Sequence, residues 1–307
     1  MKSAFITGAA SGIGLATARR LASDGWFVGL YDINREAVDE LLSSGEFPAA
    51  CGGSCDVTRH DSVQAAIAHF AGASGGRMDL LVNNAGVLTA GHFESVDPRS
   101  HEAMIRVNVQ GLTTVAQLGF PLLKQTPGST LVNICSVSSV HGVPLLAVYS
   151  ASKFYVDGLT QALSIEWAGH GIRVLSIKPP FVRTALIRGI PERLTKTLTV
   201  DLAPEQVADA IVRALAGNKP PPPATVPAEA PTVEPPAAVA HRRDPDVELV
   251  GGVVEPGQRV EEPVADERAL DQRGDCRAEG QGRDDYQVDR QAEPEPGQPT
   301  LLQQGGG

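Results

Sequence analysis

The chain lacks any apolar run of the roughly 18 residues that a helix needs to cross a bilayer, so no membrane-spanning helix is expected. Cysteine is scarce. Cys51, Cys55, Cys135 and Cys276 show no Cys-x-x-Cys spacing, and Cys51 with Cys55 lacks a second ligand pair, so no metal centre is expected. The opening Met1 to Ile6 runs at once into a strand and a glycine turn, which leaves no room for a secretory leader; with so few thiols, a reducing cytoplasm is the expected setting. Charge imbalance is absent from most of the chain. Residues 1–219 carry 18 Lys+Arg against 18 Asp+Glu, whereas the last 88 residues carry 8 against 18, so the whole formal charge of -10 falls there. A neutral body offers no basic patch to a phosphate backbone, and nucleic-acid binding is not expected.

The same last stretch has almost no aromatic residues. Tyr286 is its only one, yet it holds 14 of the 23 prolines. Such a segment cannot bury enough apolar surface to offset the entropy of ordering. The expected organisation is a folded domain over residues 1–219 and a Pro-rich, acidic, disordered tail over 220–307.

What is present begins with a short apolar run, Ser3 to Thr7, followed by Gly8-Ala9-Ala10-Ser11-Gly12-Ile13-Gly14 and a helical pattern. A strand, a glycine turn and a helix N-terminus form a phosphate site, because unpaired backbone N–H groups and the positive end of the helix dipole point to one spot. The spacing is Gly-x-x-x-Gly-x-Gly, not Gly-x-Gly-x-x-Gly. A second strand, Phe27 to Tyr31, ends at Asp32. A carboxylate there accepts hydrogen bonds from ribose hydroxyls and repels a 2'-phosphate, which favours NAD over NADP, although Arg35 nearby could pair with such a phosphate. Asp32 and Asn34 also suit the cap of a helix over Arg35 to Ser43.

Further along, strands are expected around Gly53 to Cys55, running into Asp56-Val57, and over Met78 to Val82, running into Asn83-Asn84-Ala85-Gly86. A long helical region from Pro98 to Lys124 is interrupted in polarity at Asn108, which must either hydrogen-bond inward or kink the helix. Leu131 to Cys135 is a fifth strand that delivers Ser136 to its carboxyl end, and Arg173 to Ile177 a sixth. Helices are expected over Tyr149 to Trp167 and Pro204 to Ala216. Strands alternating with helices imply an α/β fold with a doubly wound parallel sheet.

Tyr149 and Lys153 are four residues apart, one above the other on a single helix face. An ammonium within about 4–6 Å of a phenol stabilises the phenolate and draws its pKa down from about 10, making a proton shuttle. A lone Tyr-x-x-x-Lys also arises by chance, so the pair needs its context.

In that context, the loop Thr7 to Gly14, Asp56, Asn83-Asn84-Ala85-Gly86, Asn108, Ser136, and Tyr149 with Lys153, in this order, resemble the short-chain dehydrogenase/reductase family over about residues 1–216. The resemblance implies a Rossmann-type fold and an oxidoreductase that moves a hydride between NAD(H) and a secondary alcohol or ketone. It implies that Tyr149 exchanges the proton, Ser136 orients the substrate oxygen, Lys153 lowers the Tyr149 pKa and holds the nicotinamide ribose, and Asn108 keeps a water in line with Lys153. Gly8, Ser11, Gly12, Ile13 and Gly14 would hold the pyrophosphate, Asp32 the adenine ribose, and Asp56 and Val57 the adenine. Asn84, Ala85 and Gly86 would line the cofactor and Thr184 would face the nicotinamide amide. The family resemblance also implies a homodimer or homotetramer. Two features depart from the family pattern: Pro179-Pro180 stands where Pro-Gly is usual, and Pro220-Pro221-Pro222-Pro223 begins where a seventh strand should approach, leaving Val247 to Val254 as the only later run with strand character. These departures keep a second reading open, a dinucleotide-binding sensor or scaffold without turnover. His141, Leu145, Leu146 and Phe181 are candidate pocket walls by position, and Trp167 is expected in the core or at a subunit contact.

Overall fold

Alternate residues of the strands point to opposite sides, and that period decides how the sheet is buried. The computed structural model describes residues 1–187 and 202–217. β1 (Ser3–Thr7) leads through α1 (Gly12–Ser23) to β2 (Phe27–Asp32), then through α2 (Arg35–Ser43) to β3 (Ala50–Ser54). α3 (His60–Ala73) returns the chain to β4 (Leu80–Asn83). α4 (Pro98–Ile105), a π turn (Arg106–Gly111) and α5 (Leu112–Gln125) lead to β5 (Thr130–Ile134). α6 (Ala147–Glu166) precedes β6 (Arg173–Ile177), and α7 (Pro204–Ala216) ends the described part.

The sheet is parallel throughout, in the order β3-β2-β1-β4-β5-β6. The chain winds outward from β1 to β3, returns to β4 beside β1, and winds outward the other way. The loops after β1 and β4 therefore diverge, and the crevice between them at the carboxyl ends of the strands is where such sheets bind ligands. This is the doubly wound Rossmann-type sheet expected from the alternation of elements.

Every residue of β1, β4 and β5 is buried, as parallel strands covered by helices on both faces require. Ile6, Leu30, Leu80 and Val132 face α1 and α7 on one side, packing with Leu21 and Ile211. Their neighbours Phe5, Tyr31, Leu81 and Leu131 face α3 and α5 on the other, packing with Phe70, Val115 and Leu123. Trp167 belongs to this second core, its ring centroid 4.9 Å from that of Phe120.

Element ends differ from expectation by a few residues. β3 starts at Ala50 because its register is set by β2, Val28 pairing with Ala50 and Asp32 with Ser54, rather than by the weak strand preference of Ala-Cys-Gly-Gly. β5 ends at Ile134, so Cys135 lies in the loop before Ser136. The long helical region expected from Pro98 to Lys124, interrupted at Asn108, is two helices joined by the π turn that contains Asn108. The Val247 to Val254 run, the tail, and the 188–201 part of the loop after β6 lie outside the described residues.

Candidate active site

The loop after β1 is shaped by its glycines. Gly8 has φ +65° and Gly12 φ +53°, left-handed conformations that favour glycine. Gly14 is constrained differently: a Cβ there would lie 2.1 Å from the Gly8 carbonyl oxygen. Two hydrogen-bonded crossings tie this loop to the one after β4. Asn84 Nδ2 donates to the carbonyls of Thr7 (2.9 Å) and Gly8 (3.1 Å). Thr7 Oγ1 accepts from the backbone N–H groups of Asn84 (3.0 Å) and Ala85 (3.1 Å). Ser11, at the N-terminus of α1, makes no side-chain capping bond, which leaves first-turn N–H groups available at the mouth of the cleft. Sequence reading missed the brace made by Thr7, because a threonine that ends a strand carries no distinguishing signal.

At the end of β2 the Asp32 carboxylate is held by two backbone donors, Ala10 N–H and Asn34 N–H, each at 3.0 Å. Asn34 in turn caps α2 by accepting from Ala37 N–H. Arg35 is occupied by Asp39 one turn along, with its Nε at 2.9 and 2.8 Å from the two carboxylate oxygens. Asp56 folds onto its own turn, accepting from the N–H (2.9 Å) and hydroxyl (2.7 Å) of Thr58.

Gly8, Ser11, Gly12, Ile13, Asp32, Asp56, Val57, Asn84, Ala85, Gly86 and Thr184 line one cleft of about 270 Å³. Gly14 lies beneath it, serving the close packing of loop on loop. Uncapped N–H groups at one end and a fixed carboxylate at the end of β2 fit a dinucleotide.

Ile13, Asn84, Gly86, Thr184 and Leu186 line both this cleft and a second cavity of about 70 Å³, so the two spaces adjoin across shared walls. Ser136, Tyr149 and Lys153 all line this second cavity, and all three are buried. Ser136 sits at the carboxyl end of β5, and the α6 turn places Tyr149 and Lys153 on one face. Ser136 Oγ accepts from Ser138 N–H (3.1 Å) and donates to Ser138 Oγ (3.2 Å), so the fully buried Ser138 sets the rotamer of Ser136. Lys153 Nζ donates to the Ile134 carbonyl at 2.9 Å and lies 5.6 Å from the centre of the Tyr149 ring.

Burial dominates both ionisable groups. It pushes the Tyr149 phenol up to about 12, with Ser136 acting in the opposite direction, and it pulls the Lys153 ammonium down to about 8. The expected lowering of the phenol by Lys153 does not occur here: removal from water is the largest influence on the phenol and raises it. Tyr149 is held as a protonated phenol.

The lowered Lys153 pKa has a consequence for stability. Between pH 8 and 10.5 the unfolded chain holds this proton more tightly than the folded one, so folding gains stability as pH rises through that window. Below pH 8 the cost of burying the charge is present in full. Lys153→Met, which keeps the bulk without the charge, is expected to raise Tm by a few degrees at pH 7, with the difference shrinking above pH 8. A Tm difference that does not change with pH would refute this; thermal unfolding at pH 7 and pH 9.5 decides it.

Asn108, central in the π turn, uses its whole side chain structurally. Its Oδ1 accepts from Val87 N–H (2.8 Å), and its Nδ2 donates to the Val87 carbonyl (2.9 Å) and to Ser152 Oγ (3.2 Å). Both expected outcomes, inward bonding and helix distortion, occur together. His141 is exposed and is not among the cavity-lining residues, whereas Phe181 lines the cavity and Leu146 packs with Phe181 and Tyr149. Leu145 has φ +66° and gives its carbonyl to Gly91 N–H at 2.9 Å.

The comparisons with known proteins agree with this geometry. A family profile described as short chain dehydrogenase matches residues 2–208. The chain is 34% identical over 223 residues to the 3-oxoacyl-(acyl-carrier-protein) reductase of Thermotoga maritima, covering 69% of this chain and 89% of that protein. It is 36% identical over 187 residues to the D-threitol dehydrogenase of Mycolicibacterium smegmatis, covering 60% and 72%. Among solved structures, the 3-ketoacyl-(acyl-carrier-protein) reductase of Brucella melitensis complexed with NADH superposes with a TM-score of 0.65 at 28% identity, covering 70% of this chain and 90% of that one. The chain belongs to the short-chain dehydrogenase family.

Proposed function

We propose that this protein is an NAD(H)-dependent oxidoreductase that interconverts a secondary alcohol and a ketone. The observation that carries the reading is the adjacency of the two cavities: the cleft lined by the glycine loop and Asp32 shares Ile13, Asn84, Gly86, Thr184 and Leu186 with the cavity that holds the buried Ser136, Tyr149 and Lys153. Bound nicotinamide supplies or accepts the hydride, which no side chain can do. The chain supplies the rest. Tyr149, kept protonated by burial, gives its proton to the carbonyl oxygen as negative charge builds there. Ser136 donates a second hydrogen bond to the same oxygen, turning away from Ser138 to do so. Lys153 brings the positive charge that favours this development, and Asn108 holds the loop at Val87 in place. The relatives with printed activities are reductases or dehydrogenases, which supports the same class of chemistry.

The NAD preference rests on Asp32, whose carboxylate, held at the end of β2, would repel a 2'-phosphate, and on Arg35, whose guanidinium is engaged by Asp39. The test follows reduced-nicotinamide absorbance with NADH and NADPH against a panel of ketones, and the reverse reaction with secondary alcohols. Ketone reduction with kcat/KM at least about tenfold higher for NADH is expected. Equal use of NADPH would sink the cofactor preference. NADH binding without turnover of any ketone or alcohol would leave the sensor or scaffold reading in its place.

A further inference from the structure

Asn84 and Thr184 line the reaction cavity on the side it shares with the larger cleft, and away from them and from Ser136, Tyr149 and Lys153 it is walled by Leu88, Pro179, Pro180, Phe181, Val182 and Ile187. Leu88, Phe181 and Ile187 continue into one apolar cluster with Met104, Val143 and Leu146, so the wall is several side chains deep. Part of its backbone also lacks donors. Consecutive prolines at 179 and 180 remove two N–H donors from the wall, and the Pro179 carbonyl already accepts from Val137 N–H at 3.1 Å. Among the described residues, Lys153 is the only charged side chain lining the cavity. Its Nζ donates to the Ile134 carbonyl at 2.9 Å. Lys178, which adjoins the prolines, is turned away into an ion pair with Asp157 at 2.8 Å.

A left-handed backbone at a bulky residue persists only where its surroundings hold it. Leu145 is such a residue, secured by the Gly91 N–H, and the turn it makes sets Leu146 behind Tyr149 in the apolar cluster. The wall is thus braced from two loops.

We infer that the substrate of this site carries uncharged, apolar groups on its reacting carbon, and that Leu88, Phe181 and the Pro179-Pro180 pair enforce this against carboxylate-bearing ketones. The inference rests on the alcohol–ketone reading above. A carboxylate placed against these side chains would give up its hydration and gain no side-chain donor from them, while an apolar group of equal size gives up nothing.

The test pairs two ketones of equal heavy-atom count, cyclohexanone and 3-oxobutanoate, with the full chain and NADH. The expected kcat/KM ratio is about 10²-fold or more in favour of cyclohexanone. Leu88→Arg is expected to narrow that ratio about tenfold by improving 3-oxobutanoate. Should that variant not fold, Pro180→Gly restores one backbone N–H and is expected to narrow it in the same direction. Binding is measured separately, by the change each ketone makes in the fluorescence of NADH held by Tyr149→Phe. Tighter binding of cyclohexanone without turnover in the parent protein would refute the alcohol–ketone reading and uphold the apolar wall. Equal or better binding or turnover of 3-oxobutanoate, or no binding of either ketone, overturns the inference.

Discussion

Tyr149→Phe is expected to lower kcat for ketone reduction by about 10³-fold, within the range that general acid catalysis supplies, while leaving NADH affinity within about twofold. The phenol ring packs among Met104, Val143, Leu146 and Phe181, and phenylalanine keeps those contacts. What it removes is the hydroxyl, whose proton burial retains up to a pKa of about 12. At neutral pH the group is therefore an acid with its proton in place, facing the same cavity as Ser136. Loss of one neutral hydroxyl costs little stability, so an unchanged Tm beside a collapsed kcat would separate chemistry from folding. A loss of less than tenfold would assign the proton to another group.

The second large effect is steric. Gly14→Ala would place a Cβ 2.1 Å from the Gly8 carbonyl oxygen and 2.6 Å from Asn84 Nδ2. Neither neighbour can retreat cheaply. The first is backbone in a left-handed turn, and the second is clamped by its hydrogen bonds to Thr7 and Gly8. The loop must shift as a unit, which costs about 1–3 kcal/mol or more and moves the N–H groups that would face the pyrophosphate. NADH affinity is expected to fall by at least about 10²-fold, with a Tm drop of several degrees. Gly158→Ala provides the contrast: a Cβ there meets nothing within 4 Å, and alanine in a helix interior is favoured over glycine by about 1 kcal/mol. NADH titration and thermal unfolding of both variants decide the matter, and equal behaviour of the two would remove the packing argument.

Several features of the site follow from local rules and could be read from residue order. Glycines before a helix, an acidic residue ending the second strand, and Tyr149 four before Lys153 each express a constraint that acts within a few residues. Their meeting at one sheet edge follows from the alternation of strands and helices, since a parallel sheet delivers every strand's carboxyl end to the same side. Asn108 was legible as a disturbance, because an amide in an apolar stretch must find a partner or bend the helix; the π turn and the Val87 contact are both answers.

Other features depend on residues far apart in the chain. The role of Ser138 was hidden because serines are common in loops, and only the turn after β5 aims its hydroxyl at Ser136. His141 looked suitable by distance along the chain, yet its loop carries it into solvent.

The sequence by itself determined the order of elements, the phosphate loop, the acid at the end of β2 and the identity of the candidate proton donor, because these rest on backbone conformation and on periodicities spanning a few residues. Only the tertiary structure decided the state of that donor and the character of the pocket around it. Ionisation depends on how much water and charge surround a group, and those surroundings come from loops brought together across the sheet, so burial rather than the neighbouring ammonium sets the Tyr149 proton.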